Sequence, residues 1–127
     1  MEVYGVGTDI IEVERITSAI EKNDSFRKKV YTDSEIKYCE SKVKGRFSSY
    51  AARFAAKEAV AKSLSEGVGK NVSLDEIELS HDGRGAPFVI LHGKTLGYSR
   101  SLGIKEIKIS VSATGRFAVA YAISFTG

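Results

Sequence analysis

The chain has 127 residues, 43% of them hydrophobic and 28% charged, with a formal net charge of +3. That length specifies a single domain, residues 1–127, able to bury roughly 65–70% of its unfolded surface and so to fold without staples. A lone Cys39 excludes an intramolecular disulfide framework, one Cys with two His argues against structural zinc, and no apolar run nears the ~18 residues of a membrane span. The start lacks the basic region and long apolar stretch of a signal peptide, so a soluble cytoplasmic protein is expected.

The charge is uneven. Between residues 26 and 46, seven bases (Arg27, Lys28, Lys29, Lys37, Lys42, Lys44, Arg46) stand against Asp33, Glu35 and Glu40, leaving the rest of the chain slightly acidic. Such a surface steers an acidic partner, although a basic run on a helix is more often only a solvated face.

In chain order, residues 2–9 read as a strand in which Gly5 and Gly7 mark a bulge or a close backbone approach. Glu12 to Lys22 carries Val13, Ile16 and Ile20 at helical spacing. A short helix over 24–30 has Asp24 as its expected cap, and Thr32 to Glu35 stands in capping-box register for a helix to about Lys42. From Arg46 to Ser65 the pattern is strongly helical, with Gly67 and Gly69 as its stop. A strand near 75–80, a turn at His81 to Gly85, a strand at 87–91 and a short helix at 93–102 follow. Residues 104–112 and 116–124 read as a hairpin around Ala113-Thr114-Gly115. Strand, then helices, then antiparallel strands spell an α+β domain.

Two acids stand out. Asp9 closes the first strand, and Glu58 lies on the long helix with Phe54 and Lys62 at i−4 and i+4. Two carboxylates that share a hard cation, beside a lysine, suit phosphate chemistry. Each also has a plain structural reading: Asp9 as a helix cap, Glu58 as the i,i+4 partner of Lys62, and Lys62 as surface. His81 reads as an exposed turn residue and His92 as structural.

Gly5-Val6-Gly7-Thr8-Asp9-Ile10-Ile11-Glu12 and Arg53-Phe54-Ala55-Ala56-Lys57-Glu58-Ala59-Val60-Ala61-Lys62 together resemble the paired signatures of the small holo-[acyl-carrier-protein] synthases, a class of 4′-phosphopantetheinyl transferases. The resemblance extends to Gly67-Val68-Gly69, to Asp82 through Pro87, to Ser110-Val111-Ser112 and to Phe117 through Ala120. It implies one long helix and several short ones packed on a mainly antiparallel sheet. It also implies Mg²⁺-dependent transfer of 4′-phosphopantetheine from coenzyme A to a serine of apo acyl carrier protein, in fatty acid biosynthesis.

By the same resemblance, Asp9 and Glu58 hold the metal, and Lys62 meets phosphate or the leaving 3′,5′-ADP. Arg53 and Phe54 lie near the nucleotide. Gly67, Gly69, Gly85 and Pro87 belong to loops around it, and Ser112 and Thr114 offer hydroxyls. The general base is left open between Glu58 and Asp9 acting through water. Arg15 faces the carrier, with Arg27, Lys28 and Lys29 beside it, and the assembly is a homotrimer with the coenzyme between subunits. Two departures stand out: Ala113 where the family has histidine, and Ala52 where many relatives have glycine. A coenzyme A-binding member with impaired transfer is the alternative that Ala113 raises. A nucleic-acid-binding domain, prompted by a pI of about 9.0, lacks clustered stacking aromatics; a scaffold without chemistry leaves Asp9, Glu58 and Lys62 unexplained.

Overall fold

Strand β1 (Glu2–Glu12) pairs antiparallel with β5 (Phe117–Thr126), and β5 with β4 (Ile104–Ala113), giving a sheet ordered β1-β5-β4. The computed structural model describes residues 1–65 and 67–127. A separate antiparallel hairpin is formed by β2 (Ile77–His81) and β3 (Pro87–Leu91). The long helix α4 (Arg46–Ser63) lies on the inner face of the three-stranded sheet. Among the described residues, four short helices complete the α+β fold: α1 (Val13–Lys22), α2 (Asp24–Val30), α3 (Asp33–Glu40) and α5 (Gly93–Ser101).

Residue size explains how α4 sits. Alternation along β5 buries Ala118, Ala120, Ala122 and Ser124 while Phe117, Val119 and Tyr121 face outward. The buried set is small, as is the helix face of Ala51, Ala55 and Ala59. On β1 the approach is closer still. A Cβ on Gly7 would lie 2.0 Å from the Ala59 carbonyl oxygen, and one on Gly5 would lie 2.2 Å from that of Ser63. Both are backbone atoms of α4 that cannot swing away, so only glycine fits. Ser124 Oγ fastens the contact by donating to the Ser63 carbonyl at 2.7 Å. The sequence allowed Gly5 and Gly7 a bulge or a close approach; the register also shifts between Val3 and Gly5, so both occur.

On the other side of α4, Ile16, Ile20, Val30, Tyr31, Tyr50, Leu64, Ile77 and Leu79 join the core. Several boundaries differ from expectation. β1 runs on to Glu12 because β5 supplies partners as far as Phe117. Helix α2 is capped by Asn23, whose side chain accepts from Ser25 N at 3.0 Å, and Asp24 is its first helical residue. The capping box of Thr32 and Glu35 is present, but α3 stops at Glu40. Helix α4 stops at Ser63: Ser65 takes the left-handed turn (φ 65°), and Gly67 N–H donates back to Ala61 O. The strand expected from 75 is preceded by a 3₁₀ turn at Leu74–Glu76.

Candidate active site

Asp9 projects from the same face of β1 as Gly5 and Gly7, and is the first residue on that face with a long side chain. The glycines press the strand against α4, so the Asp9 carboxylate arrives beside the helix. Lys62 Nζ lies 3.4 Å from Asp9 Oδ1 and donates to the Thr8 carbonyl at 3.0 Å. Glu58, one turn earlier on α4 and half-buried, completes the group. The acid at 9 is thus no helix cap, and the ion pair of Lys62 goes to Asp9 across the helix–strand contact.

Burial pushes the Asp9 carboxyl above the ordinary range, and Lys62 opposes the shift. Burial also raises Glu58; the charge of Asp9 raises it further, and Lys62 again opposes. Two half-buried acids, one of them held back from ionising by the charge of the other, suit a shared cation. Among the described residues no group of three or more His, Cys, Asp or Glu side chains could hold a metal. A cation here would take these two carboxylates and leave its other positions to water and phosphate oxygens, which is how Mg²⁺ is commonly held.

The other expected site residues fall in three places. Arg53 is buried, 4% exposed, with its guanidinium 4.2 Å over the Tyr38 ring and Nη1 donating to Ser49 Oγ at 3.0 Å. Its Nε has no partner, and the residue lines a pocket of about 240 Å³ with Tyr38, Glu78, Ser80 and His81. His81 is exposed at the end of β2 and stacks on Tyr38; burial and the Arg53 charge hold its pKa down. The turn that follows is built by Asp82, whose carboxylate accepts from Arg84 N and Ala86 N; Gly85 takes φ 84°, and Pro87 opens β3 opposite His81. Phe54 is half-buried and stacks on Phe26, with 6.4 Å between ring centroids. Gly67 (φ 73°) and Gly69 lie in the loop after α4, Gly69 N–H donating to Val72 O.

The carboxy-terminal residues sit apart. Ser112 faces outward with Val119, on the opposite side of the sheet from Asp9. Thr114 spends its hydroxyl oxygen on the hairpin turn, accepting from Arg116 N and Phe117 N. Ala113 shares the inner face with Asp9, but the register Asp9–Ala120–Val111 puts it two strands away and two residues on, roughly 12 Å at the backbone. On the helical side, Arg15 is exposed on α1, whereas Arg27 pairs with Glu40 at 3.0 Å. His92 precedes α5 and lies 2.8 Å from Glu78.

Sequence reasoning missed the buried pair behind Glu58. Lys57 Nζ lies 2.6 Å from Glu35 Oε1, both side chains at most 1% exposed. The lysine also donates to the carbonyls of Leu74 and Ile77, and Glu35 accepts from Thr32 N and Leu79 N. A signal existed for the lysine alone, a cation among Ala55, Ala56, Ala59 and Val60; nothing in the sequence named its partner.

With this geometry in place, likeness to known proteins becomes informative. The pattern of the 4′-phosphopantetheinyl transferase superfamily matches residues 5–122. A holo-[acyl-carrier-protein] synthase of Ruminiclostridium cellulolyticum is 50% identical over 123 residues, covering 96% of this chain and 92% of its own. The crystal structure of the holo-[acyl-carrier-protein] synthase of Neisseria meningitidis superposes with a TM-score of 0.90 at 29% identity, covering 98% of this chain and 99% of that one. That of Bacillus anthracis, in complex with coenzyme A (3′,5′-ADP), superposes with a TM-score of 0.83 at 31% identity over the whole of both chains. The chain belongs to the 4′-phosphopantetheinyl transferase superfamily and, within it, to the holo-[acyl-carrier-protein] synthases. It is a transferase by family.

Proposed function

We propose that this chain transfers 4′-phosphopantetheine from coenzyme A to a serine hydroxyl of apo acyl carrier protein, with Mg²⁺, in fatty acid biosynthesis in the cytoplasm. The observation that carries this reading is the meeting of Asp9, Glu58 and Lys62 at the contact that Gly7 makes possible. When bound, Mg²⁺ would be held by Asp9 and Glu58 and would neutralise charge on the pyrophosphate oxygens. The serine oxygen bonds to the β-phosphorus, the bond to 3′,5′-ADP breaks, and the serine proton goes to a carboxylate. Glu58 suits that role because burial and Asp9 both raise its basicity. Lys62, half exposed, supplies positive charge to the departing phosphate. The pocket of Arg53 and His81, bordered by the turn of Gly85 and Pro87, is where the nucleotide would lie. Phe54, Gly67 and Gly69 keep the nucleotide-side roles that the resemblance implies.

Two observations favour a homotrimer with the site between copies. Val6, Ile10, Val119 and Tyr121 expose an apolar outer sheet face, each at least 39% accessible. Ser112 faces that same side and cannot reach Asp9 of its own copy, so its hydroxyl would serve a neighbour's coenzyme; Thr114, in the adjoining turn, would do the same.

The test is mass spectrometry of apo carrier protein incubated with this chain, coenzyme A and Mg²⁺. A gain of roughly 340 Da, the mass of the transferred group, abolished by EDTA, is the expected outcome; no gain with any apo carrier would overturn the reading. Ala113 favours a second reading, a member that binds coenzyme A and transfers slowly. A large gain in kcat for Ala113→His would support it, and an unchanged kcat would dismiss it.

A further inference from the structure

Lys57 and Glu58 are neighbours on α4, so their side chains leave the helix about 100° apart. Lys57 points away from Asp9, into the seam between α4, α3 and the β2 hairpin. There all its donors are used: Glu35 Oε1, the Leu74 carbonyl and the Ile77 carbonyl. Glu35 is equally committed, one oxygen to Lys57 and Thr32 N, the other to Leu79 N. On the far side of the helix, the Gly5 and Gly7 contacts fix how near β1 lies, and Ser124 Oγ and Lys62 Nζ tie the last turns of α4 to the sheet; the middle of the helix is held from the opposite side. There the Lys57 anchor, with three directional bonds one residue from Glu58, resists roll.

We propose that the buried Lys57–Glu35 pair is a positioning device for Glu58: it sets the roll of α4 so that the Glu58 carboxylate meets Asp9. The reach of the effect follows from helix geometry. A carboxylate about 6 Å from the helix axis moves about 1 Å for a roll of roughly 10°. Displacements of that size cost orders of magnitude at reacting centres. Lys57 lies outside the pocket proposed for the nucleotide, whereas Glu35 forms part of its wall, so Mn²⁺ binding measured without coenzyme is the readout that isolates positioning. Their role passes through the helix, and it rests on the reading of Asp9 and Glu58 as a cation site.

The experiment uses the full chain and Mn²⁺ as the probe, with binding followed by electron paramagnetic resonance and, separately, kcat and the two KM values for transfer. The variant is Glu35→Gln with Lys57→Met, which removes both charges, keeps the volume and retains acceptor and donor atoms at position 35. A lowered but cooperative thermal unfolding is expected: no lone buried charge remains, but the substituted side chain at position 57 donates nothing to the Leu74 and Ile77 carbonyls. At a temperature where the variant is fully folded, Mn²⁺ affinity and kcat should each fall about tenfold, the scale seen when groups that orient metal ligands are removed, while the carrier KM stays put. Parental Mn²⁺ affinity and kcat in the double variant would overturn the proposal and leave the pair a stability element alone. Should the double variant not fold, Glu35→Gln, which keeps Lys57, gives the same readout: weaker Mn²⁺ binding supports the positioning role and unchanged binding overturns it. If the parent itself binds no Mn²⁺ through Asp9 and Glu58, as checked with Glu58→Gln, the cation site falls and the positioning role with it.

Discussion

Helix α4 carries charged groups on two sides, and the contrast between them separates a lock from a site. Toward the β2 hairpin, Lys57 and Glu35 are buried and every polar atom of the pair has a partner. Toward β1, Asp9, Glu58 and Lys62 have the same chemistry but an excess of negative charge, partial exposure, and carboxyls that burial keeps reluctant to ionise. A closed and neutral arrangement has nothing left to offer a ligand. The open and unbalanced one destabilises the fold, as is expected of the cation and phosphate site proposed above.

The largest effect should come from breaking the lock on one side only. Lys57→Met leaves Glu35 without a countercharge at 1% exposure, held only by two backbone N–H groups, and we expect a loss of about 3–5 kcal/mol. Thermal unfolding should drop on the order of 10–20 °C. A drop of only a degree or two would mean that the pair contributes nothing the solvent does not. Next in size is Gly7→Ala, whose Cβ meets the Ala59 carbonyl. Overpacking of this kind costs about 1–3 kcal/mol. Because the relief available is to lift β1 off α4, Mn²⁺ affinity should fall along with stability; a stable variant with intact binding would refute the close-approach argument.

The open side should respond in the opposite direction. The carboxyls of Asp9 and Glu58 are raised in the folded chain, so the folded state prefers them protonated. That preference is in full force below the ordinary carboxylate range and is lost as pH rises through the raised values. At neutral pH without divalent ions, Glu58→Gln should therefore unfold a few degrees higher than the parent, and the advantage should disappear in acid. Added Mg²⁺ should stabilise the parent and leave the variant unmoved. Differential scanning calorimetry with EDTA or Mg²⁺, at neutral and acid pH, reads both, and a destabilised variant at neutral pH would contradict the sign.

The two sides of α4 were unequally legible in the sequence. Asp9, Glu58 and Lys62 could be singled out because carboxylates with a nearby lysine have a recognisable use, and the glycines before Asp9 announced a close approach. The elements themselves were readable from periodicity, since Ile16 and Ile20, or Ala118 through Ser124, repeat at the spacing of their helix or strand. The lock was not. Glu35 already had a sufficient local explanation in the capping box with Thr32, and nothing local says that its carboxylate also reaches Lys57 and Leu79 N, 44 residues further on. The fates of Ser112 and Thr114 were hidden for a related reason. Which face of β4 points at α4 is set by its register with β5, and the turn around Thr114 uses the hydroxyl that the sequence offered to phosphate.

A smaller version of the same contrast lies on the basic surface, between Arg15 and Arg27. Both were expected to meet an acidic carrier, but their surroundings differ. Arg15 is exposed on α1, while Arg27 spends Nη1 on Glu40, which also accepts from Arg46 Nε at 2.9 Å and Tyr50 OH at 2.6 Å. Glu40 thereby ties α2, α3 and the start of α4, and its carboxyl is held low, first by Arg46 and then by Tyr50 and Arg27. An exposed tie of this kind is worth at most about 1 kcal/mol. Arg15→Glu should accordingly leave unfolding unchanged and raise the carrier KM several-fold, with the coenzyme A KM unaffected. Arg27→Glu should lower stability slightly and shift the carrier KM less, because part of its charge is already neutralised. Near 1 M salt, where the screening length shrinks to about 3 Å, the difference between the two variants in carrier KM should close. Equal effects on both KM values for Arg15→Glu would remove α1 from the docking surface.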